Sequence, residues 1–271
     1  MTSATLRFTS ATTLPDGVTE RGFVHPGADG EVPGVLWTPA GTPTGLVLSA
    51  HGGGQHKRAP GIVDRALRCA AAGLAVIALD APGHGDRART ADDERFAGEI
   101  RSRIADGHDV AAVVASYNAL LAERAVPEWR AVLDPVPGLP GIGGEVPVGF
   151  WGVSMGSAAG IALVASEKRM RAAVFGLIGV TAGLASAAAR VTVPVRFLLQ
   201  WDDRLVARDA GLAMFDASPQ RTRPCTPTRA ATATCRPSSS TAPPPSWPDT
   251  ARPRGPGAGP GLPVLGSGSR A

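Results

Sequence analysis

Gly152-Val153-Ser154-Met155-Gly156 sets a serine in a G-x-S-x-G between a hydrophobic run, Val146 to Trp151, and an alanine-rich one, Ser157 to Ala165. The pattern predicts strand, sharp turn and helix, with the hydroxyl exposed at the turn and small neighbours that let helix and strand close up. A serine so placed attacks an acyl carbon. The negative oxygen created there is stabilised by two preorganised amides, one of them at a helix N-terminus. In a chain with 34 glycines the pattern alone says little. A second element gives it weight: His51-Gly52-Gly53-Gly54 follows an apolar run, Leu46 to Leu48, about a hundred residues earlier, where an oxyanion loop belongs. Trp201-Asp202-Asp203-Arg204 then puts acids at the end of a third run, Val193 to Gln200, and after the serine. A Ser…Asp…His order requires an acid there.

The intervening segments must hold these three loops together. Val32 to Trp37 and Leu46 to Ser49 read as strands, with Gly41 to Thr44 as the turn between them. Ile62, Val63, Ala66, Leu67, Ala70 and Ala71 then recur at helical spacing, and Gly73 ends that helix before an apolar strand, Ala75 to Leu79. Strand, helix, strand implies a parallel pair. Asp80 to Asp86 is a loop at a strand's carboxyl end, where open parallel sheets place ligands, so His84 is a possible substrate contact, with a locally bonded turn histidine as the plainer reading. Arg87 to Ile104 reads as a solvated helix or partial lid. Asp109 to Glu123 is a stronger helix with Val110, Val113, Val114, Tyr117, Leu120 and Leu121 on one face, and Pro127 to Gly144 is expected to be a loop with one short helical piece. Beyond the serine, Ala172 to Ile178 and Val193 to Gln200 read as strands and Arg208 to Phe215 as a helix.

The size of the chain, 271 residues with 44% hydrophobic content, fits one sizeable core. Its formal charge of +4 suggests nucleic acid or an acidic membrane surface until the charge is located. Residues 219–271 carry seven arginines and one acid, a net +6, which leaves 4 − 6 = −2 for residues 1–218. The body is mildly acidic, so neither a nucleic-acid partner nor a membrane is expected. The polar, threonine-rich start, Met1 to Glu20, shows no signal or transit peptide. Cys69 is the one cysteine of the body and reads as a small buried hydrophobe, which suits a reducing cytoplasm.

Together these pieces resemble the α/β-hydrolase superfamily, and residues from roughly Val32 to Ala217 resemble its dienelactone-hydrolase-like esterase branch. The resemblance implies an α/β fold, a doubly wound, mostly parallel sheet. With only about 15 residues between the strands after the serine, where the family's cap domains are commonly inserted, it also implies a nearly lidless one. It implies a serine ester hydrolase acting on a small-molecule carboxylic ester, thioester or lactone, with Ser154 as nucleophile and the amides of Met155 and Gly53 as the oxyanion hole. No cofactor or metal is expected. Asp203 would orient a histidine. It is preferred to its neighbour Asp202 because the family's acid usually stands three residues after the position held by Gln200. The departure from the family is that its histidine comes last, whereas all five here, His25, His51, His56, His84 and His108, precede Asp203. Without a base the hydroxyl is a poor nucleophile, so the alternative is a catalytically inactive hydrolase-fold binding module.

The remaining 53 residues explain the gap. From Pro219 there are twelve prolines, no lysine and no glutamate, the composition of a disordered tail. It is also what GC-rich codons give out of frame. Read from the third base of each codon, with GC-biased wobble bases, Arg223 to Ser240 becomes Thr-Leu-His-Ala-Asn-Pro-Gly-Gly-His-Gly-Asp-Val-Pro-Ala-Phe-Glu-Leu-Asp, a strand, a glycine-flanked histidine straddling Ala231 and Thr232, and an amphipathic start. The expected organisation is therefore a hydrolase domain over 1–218 and a frameshifted tail over 219–271, with the family's last strand and helix missing or out of frame and Val193 to Gln200 left as an open edge.

Overall fold

The computed structural model describes residues 5–219 and 225–228. Their centre is a nine-stranded mixed sheet in the order β1-β2-β3-β5-β4-β6-β7-β8-β9. Parallel strands form its heart: β4 (Gly45–Ala50), β5 (Leu74–Leu79), β6 (Val148–Gly152), β7 (Met170–Gly176) and β8 (Val195–Gln200). β4 and β5 are buried at every residue, which is why both read as continuous apolar runs rather than alternating ones. The helix α1 (Pro60–Ala71) crosses between them, and they pair in parallel as expected.

Two layers of helix sandwich the sheet. α1 buries Ile62, Ala66, Cys69 and Ala70 against Val35, Trp37, Val47 and Val76 on one face. On the other, α3 (Ala111–Leu133), α4 (Met155–Val164) and α5 (Ala182–Ala188) close a larger core containing Leu36, Leu48, Ile77, Phe150, Phe175 and Phe197. α6 (Arg208–Asp216) adds Met214 beneath β8, and α2 (Ala91–Ala105) rides on α3. Among the described residues no helix is long and apolar enough to cross a membrane.

Several expectations need correction. The strands expected from sequence begin at Val32, whereas β1 (Arg7–Thr13) and β2 (Thr19–Gly27) form an antiparallel run with β3 (Gly30–Thr38). The turn after β3 leads to β4, and β5 lies between the two in the sheet. The loop expected from Pro127 is helix as far as Leu133. A helix-interior proline costs about 3 kcal/mol. Continuing the helix buries Trp129, Val132 and Leu133, at 4%, 0% and 2% exposure, and side chains of this kind contribute roughly 1.5–3 kcal/mol each, so packing wins.

The open edge expected on β8 is not there either. β9 (Cys225–Thr228) pairs with it in parallel, from Phe197 opposite Cys225 to Gln200 opposite Thr228, beyond the boundary drawn at residue 218. A strand ladder joins backbone to backbone, so an extended segment can form one with little demand on its side chains. Among the described residues β9 is the outermost strand, where a proline such as Pro227 is tolerated.

Candidate active site

Ser154 sits between β6 and α4 with φ 53° and ψ −124°, a region that residues with a side chain rarely occupy. Its amide donates to the Gly176 carbonyl at 2.9 Å, which ties the turn to the end of β7. The motif's glycines are there for lack of space. A Cβ on Gly152 would lie 2.5 Å from the Gly156 carbonyl, and one on Gly156 would lie 2.8 Å from that of His51. The second of these contacts brings the glycine loop against the elbow. Gly52 packs beside Ser154, Gly53 is exposed and open, and Met155 is buried at the first turn of α4.

His51 fixes the glycine loop from within. Its Nε2 accepts the Ala81 amide at 3.1 Å, so Nδ1 carries the proton and donates to the Gly52 carbonyl at 2.8 Å. Burial drives its pKa down to about 4, the Gly52 bond opposing. The unfolded chain, titrating near 6.5, binds more protons between those values. Stability should therefore fall as pH drops from about 6.5 to about 4, by on the order of 3 kcal/mol, and this contribution should level off below. Urea midpoints across that range check the slope, which a non-titrating His51→Asn variant should lessen, the remainder falling partly to His84, whose pKa burial also lowers.

A buried ion pair, extended to an exposed third member, holds the other end of the loop. Lys57 Nζ donates to Asp80 at 2.6 Å and to Asp86 at 2.5 Å, and its amide donates to Asp80 at 2.8 Å. Asp80 also accepts the Asp86 amide at 2.9 Å, so the loops after β4 and β5 are stitched together on both sides of Gly53. Lys57 and Asp80 are buried, and the Lys57 hydrogen bond and charge hold the Asp86 carboxyl below its usual range. Sequence reading passed over this cluster, although Lys57 is one of only two lysines in the chain.

His84 is buried and locally bonded, with Nδ1 2.9 Å from the Pro82 carbonyl, and burial lowers its pKa. Its ring lies 5.5 Å from that of His51 and stacks at 6.5 Å on Tyr117, which stacks at 5.1 Å on Phe96 of α2. Tyr117 and Leu121 pack with Met155, so α2 and α3 lean on the residue beside the serine. The Tyr117 hydroxyl donates to the buried Asp93, and burial, then Asp93, push its pKa up to about 12. Asp93 also accepts from Thr90 and Arg124. Burial opposes its charge, yet these bonds hold its pKa below the usual range.

Asp203 lies in the loop after β8, two strand spacings or about 10 Å across the sheet from the strand that carries Ser154. Its Oδ1 accepts the amides of Leu205 and Val206, at 2.8 and 3.1 Å, which shapes the loop. Asp202 is more exposed. The structure brings the serine and the glycine loop into contact, but among the described residues no side chain hydrogen-bonds the Ser154 hydroxyl. His56 and His108 are exposed, and His25 is buried in β2.

A scan with protein-family models returned no match, and a search of curated proteins returned none either. Among solved structures the chain is similar to a cold-adapted esterase from an Arctic intertidal metagenomic library, with 33% identity and a TM-score of 0.65 over 82% of this chain and 88% of that one. A dienelactone hydrolase from Anabaena variabilis matches at 20% identity and a TM-score of 0.51, over 84% of this chain and 88% of that one. An acetyl xylan esterase from Paenibacillus sp. R4 matches at 14% identity and 0.58, over 84% and 82%.

Proposed function

Because the chain belongs to the α/β-hydrolase superfamily, among its dienelactone-hydrolase-like esterases, we propose that it is a serine ester hydrolase that works through an acyl-enzyme on Ser154. The observation that carries this is the elbow, a serine at φ 53° with a glycine loop packed against it. In the proposed reaction the Ser154 oxygen attacks the ester carbonyl, and the amides of Met155 and Gly53 hold the developing oxyanion. The alcohol leaves, and water then releases the acid. Asp203 would steer the histidine that takes the serine proton and returns it to the leaving group, through the carboxylate oxygen that the loop amides do not use.

We infer further that this histidine belongs to the other reading frame of residues 219–271. The position of β9 supports that reading: Thr228 lies opposite Gln200, three residues before Asp203, and the alternative frame's histidine would come three residues after Thr228 in sequence. Fluorophosphonate labelling tests the nucleophile. Ser154 should be the labelled residue in the frame-corrected chain and Ser154→Ala should abolish the adduct, whereas an adduct that survives would remove the serine from this role. The second reading, an inactive binding module, is favoured by the Ser154 hydroxyl's lack of a hydrogen-bonded base among the described residues. A frame-corrected chain with no turnover of short-chain aryl esters would leave that reading standing.

A further inference from the structure

Under the elbow lies a hydroxyl that the reaction does not use. Ser157, in the first turns of α4, is fully buried. Its Oγ accepts the Gly176 amide at 2.9 Å and lies 2.8 Å from the Gly176 carbonyl and 2.9 Å from the Gly152 carbonyl. A hydroxyl has one proton, so it donates to one of these carbonyls at a time while its lone pair keeps the Gly176 amide. Gly152 ends β6 and Gly176 ends β7, so one side chain joins the two strand ends that flank the nucleophile's turn. The same Gly176 carbonyl receives the Ser154 amide at 2.9 Å.

Strained backbone persists only where its surroundings over-determine it. Ser154 is held at φ 53° by its own amide bond to Gly176, and Gly176 is fixed in turn by Ser157. We propose that Ser157 is the positioning residue of the nucleophile: its hydroxyl immobilises Gly176, and the Gly176 carbonyl pins Ser154 in the conformation that presents its hydroxyl. The inference rests on the reading of Ser154 as nucleophile for its catalytic meaning. Its mechanical content, a coupling between Ser157 and the Ser154 backbone, does not.

The test is a double-mutant cycle on the full-length chain, read by thermal unfolding. Glycine accepts positive φ without strain, so Ser154→Gly should raise Tm by about 3 °C in the parent. In the Ser157→Ala background, where Gly176 is no longer gripped and the turn can relax, the same change should raise Tm by less than about 1 °C. Gains equal in both backgrounds would overturn the proposal, because a merely structural Ser157 adds independently. If Ser157→Ala does not fold, Ser157→Cys takes its place, keeping the shape with a sulfur that accepts weakly. On the frame-corrected chain, fluorophosphonate labelling of Ser154 should slow about tenfold in Ser157→Ala, and unchanged labelling would also count against the proposal. Absence of labelling in every variant, with the thermal coupling present, would overturn the nucleophile and leave Ser157's mechanical role intact.

Discussion

Restoring the alternative frame from codon 219 should raise the turnover of a short-chain aryl ester by about 10⁴-fold or more over the chain as it stands. The estimate comes from the interdependence of such groups: losing the histidine alone costs nearly as much as losing the whole triad, and the remainder comes from the oxyanion hole and binding. Here the glycine loop proposed to hold the oxyanion lies against the elbow, while the Ser154 hydroxyl has no hydrogen-bonded base among the described residues. In the corrected chain Asp203→Asn should then lower turnover by orders of magnitude with little loss of folding, as a misoriented histidine does. Equal rates for the two frames would show that a histidine already present serves as base. Damage by Asp202→Asn in place of Asp203→Asn would move the acid one residue back.

The largest stability effect is expected at Lys57. Lys57→Met keeps the stem but leaves Asp80 charged and buried with its cation gone, and breaking a buried pair in this way costs about 3–5 kcal/mol. For a domain of this size that lowers Tm by roughly 10 °C. Replacing both partners, Lys57→Met with Asp80→Asn, should recover much of the loss, since the isolated charge is the expensive species. Calorimetry of the three variants separates the cases. A double variant as unstable as Lys57→Met would show that the pair contributes by geometry, through the loop amides that Asp80 also receives.

The parallel centre of the sheet was legible because burial on both faces writes itself as unbroken apolar runs, Leu46 to Leu48 and Ala75 to Leu79. The elbow was legible because close packing there leaves room only for glycine. β1 was not, since all seven of its residues are exposed and its polar sequence carries no period. Pro127 misled because the rule against helix-interior prolines is local and the burial that overrides it is not. The polar supports of the site, Lys57 with Asp80, Tyr117 with Asp93, and Ser157 with Gly176, join residues from 19 to 24 apart in sequence, and spacing alone gives no sign of such partners. His84 was legible as a turn residue, and its stacking on Tyr117 was not.

The capture of His51 by Gly52 and Ala81 limits its use as a base for Ser154. Both ring nitrogens are committed to backbone partners, so turning this imidazole toward Ser154 would dismantle the loop that has to receive the oxyanion. His84 likewise holds its own turn. On the proposed frame reading a single inserted or deleted nucleotide would return the base in one step, whereas recruiting His51 or His84 would cost the bonds that shape these loops. On that reading, selection for activity would favour a change of frame over a change of residue.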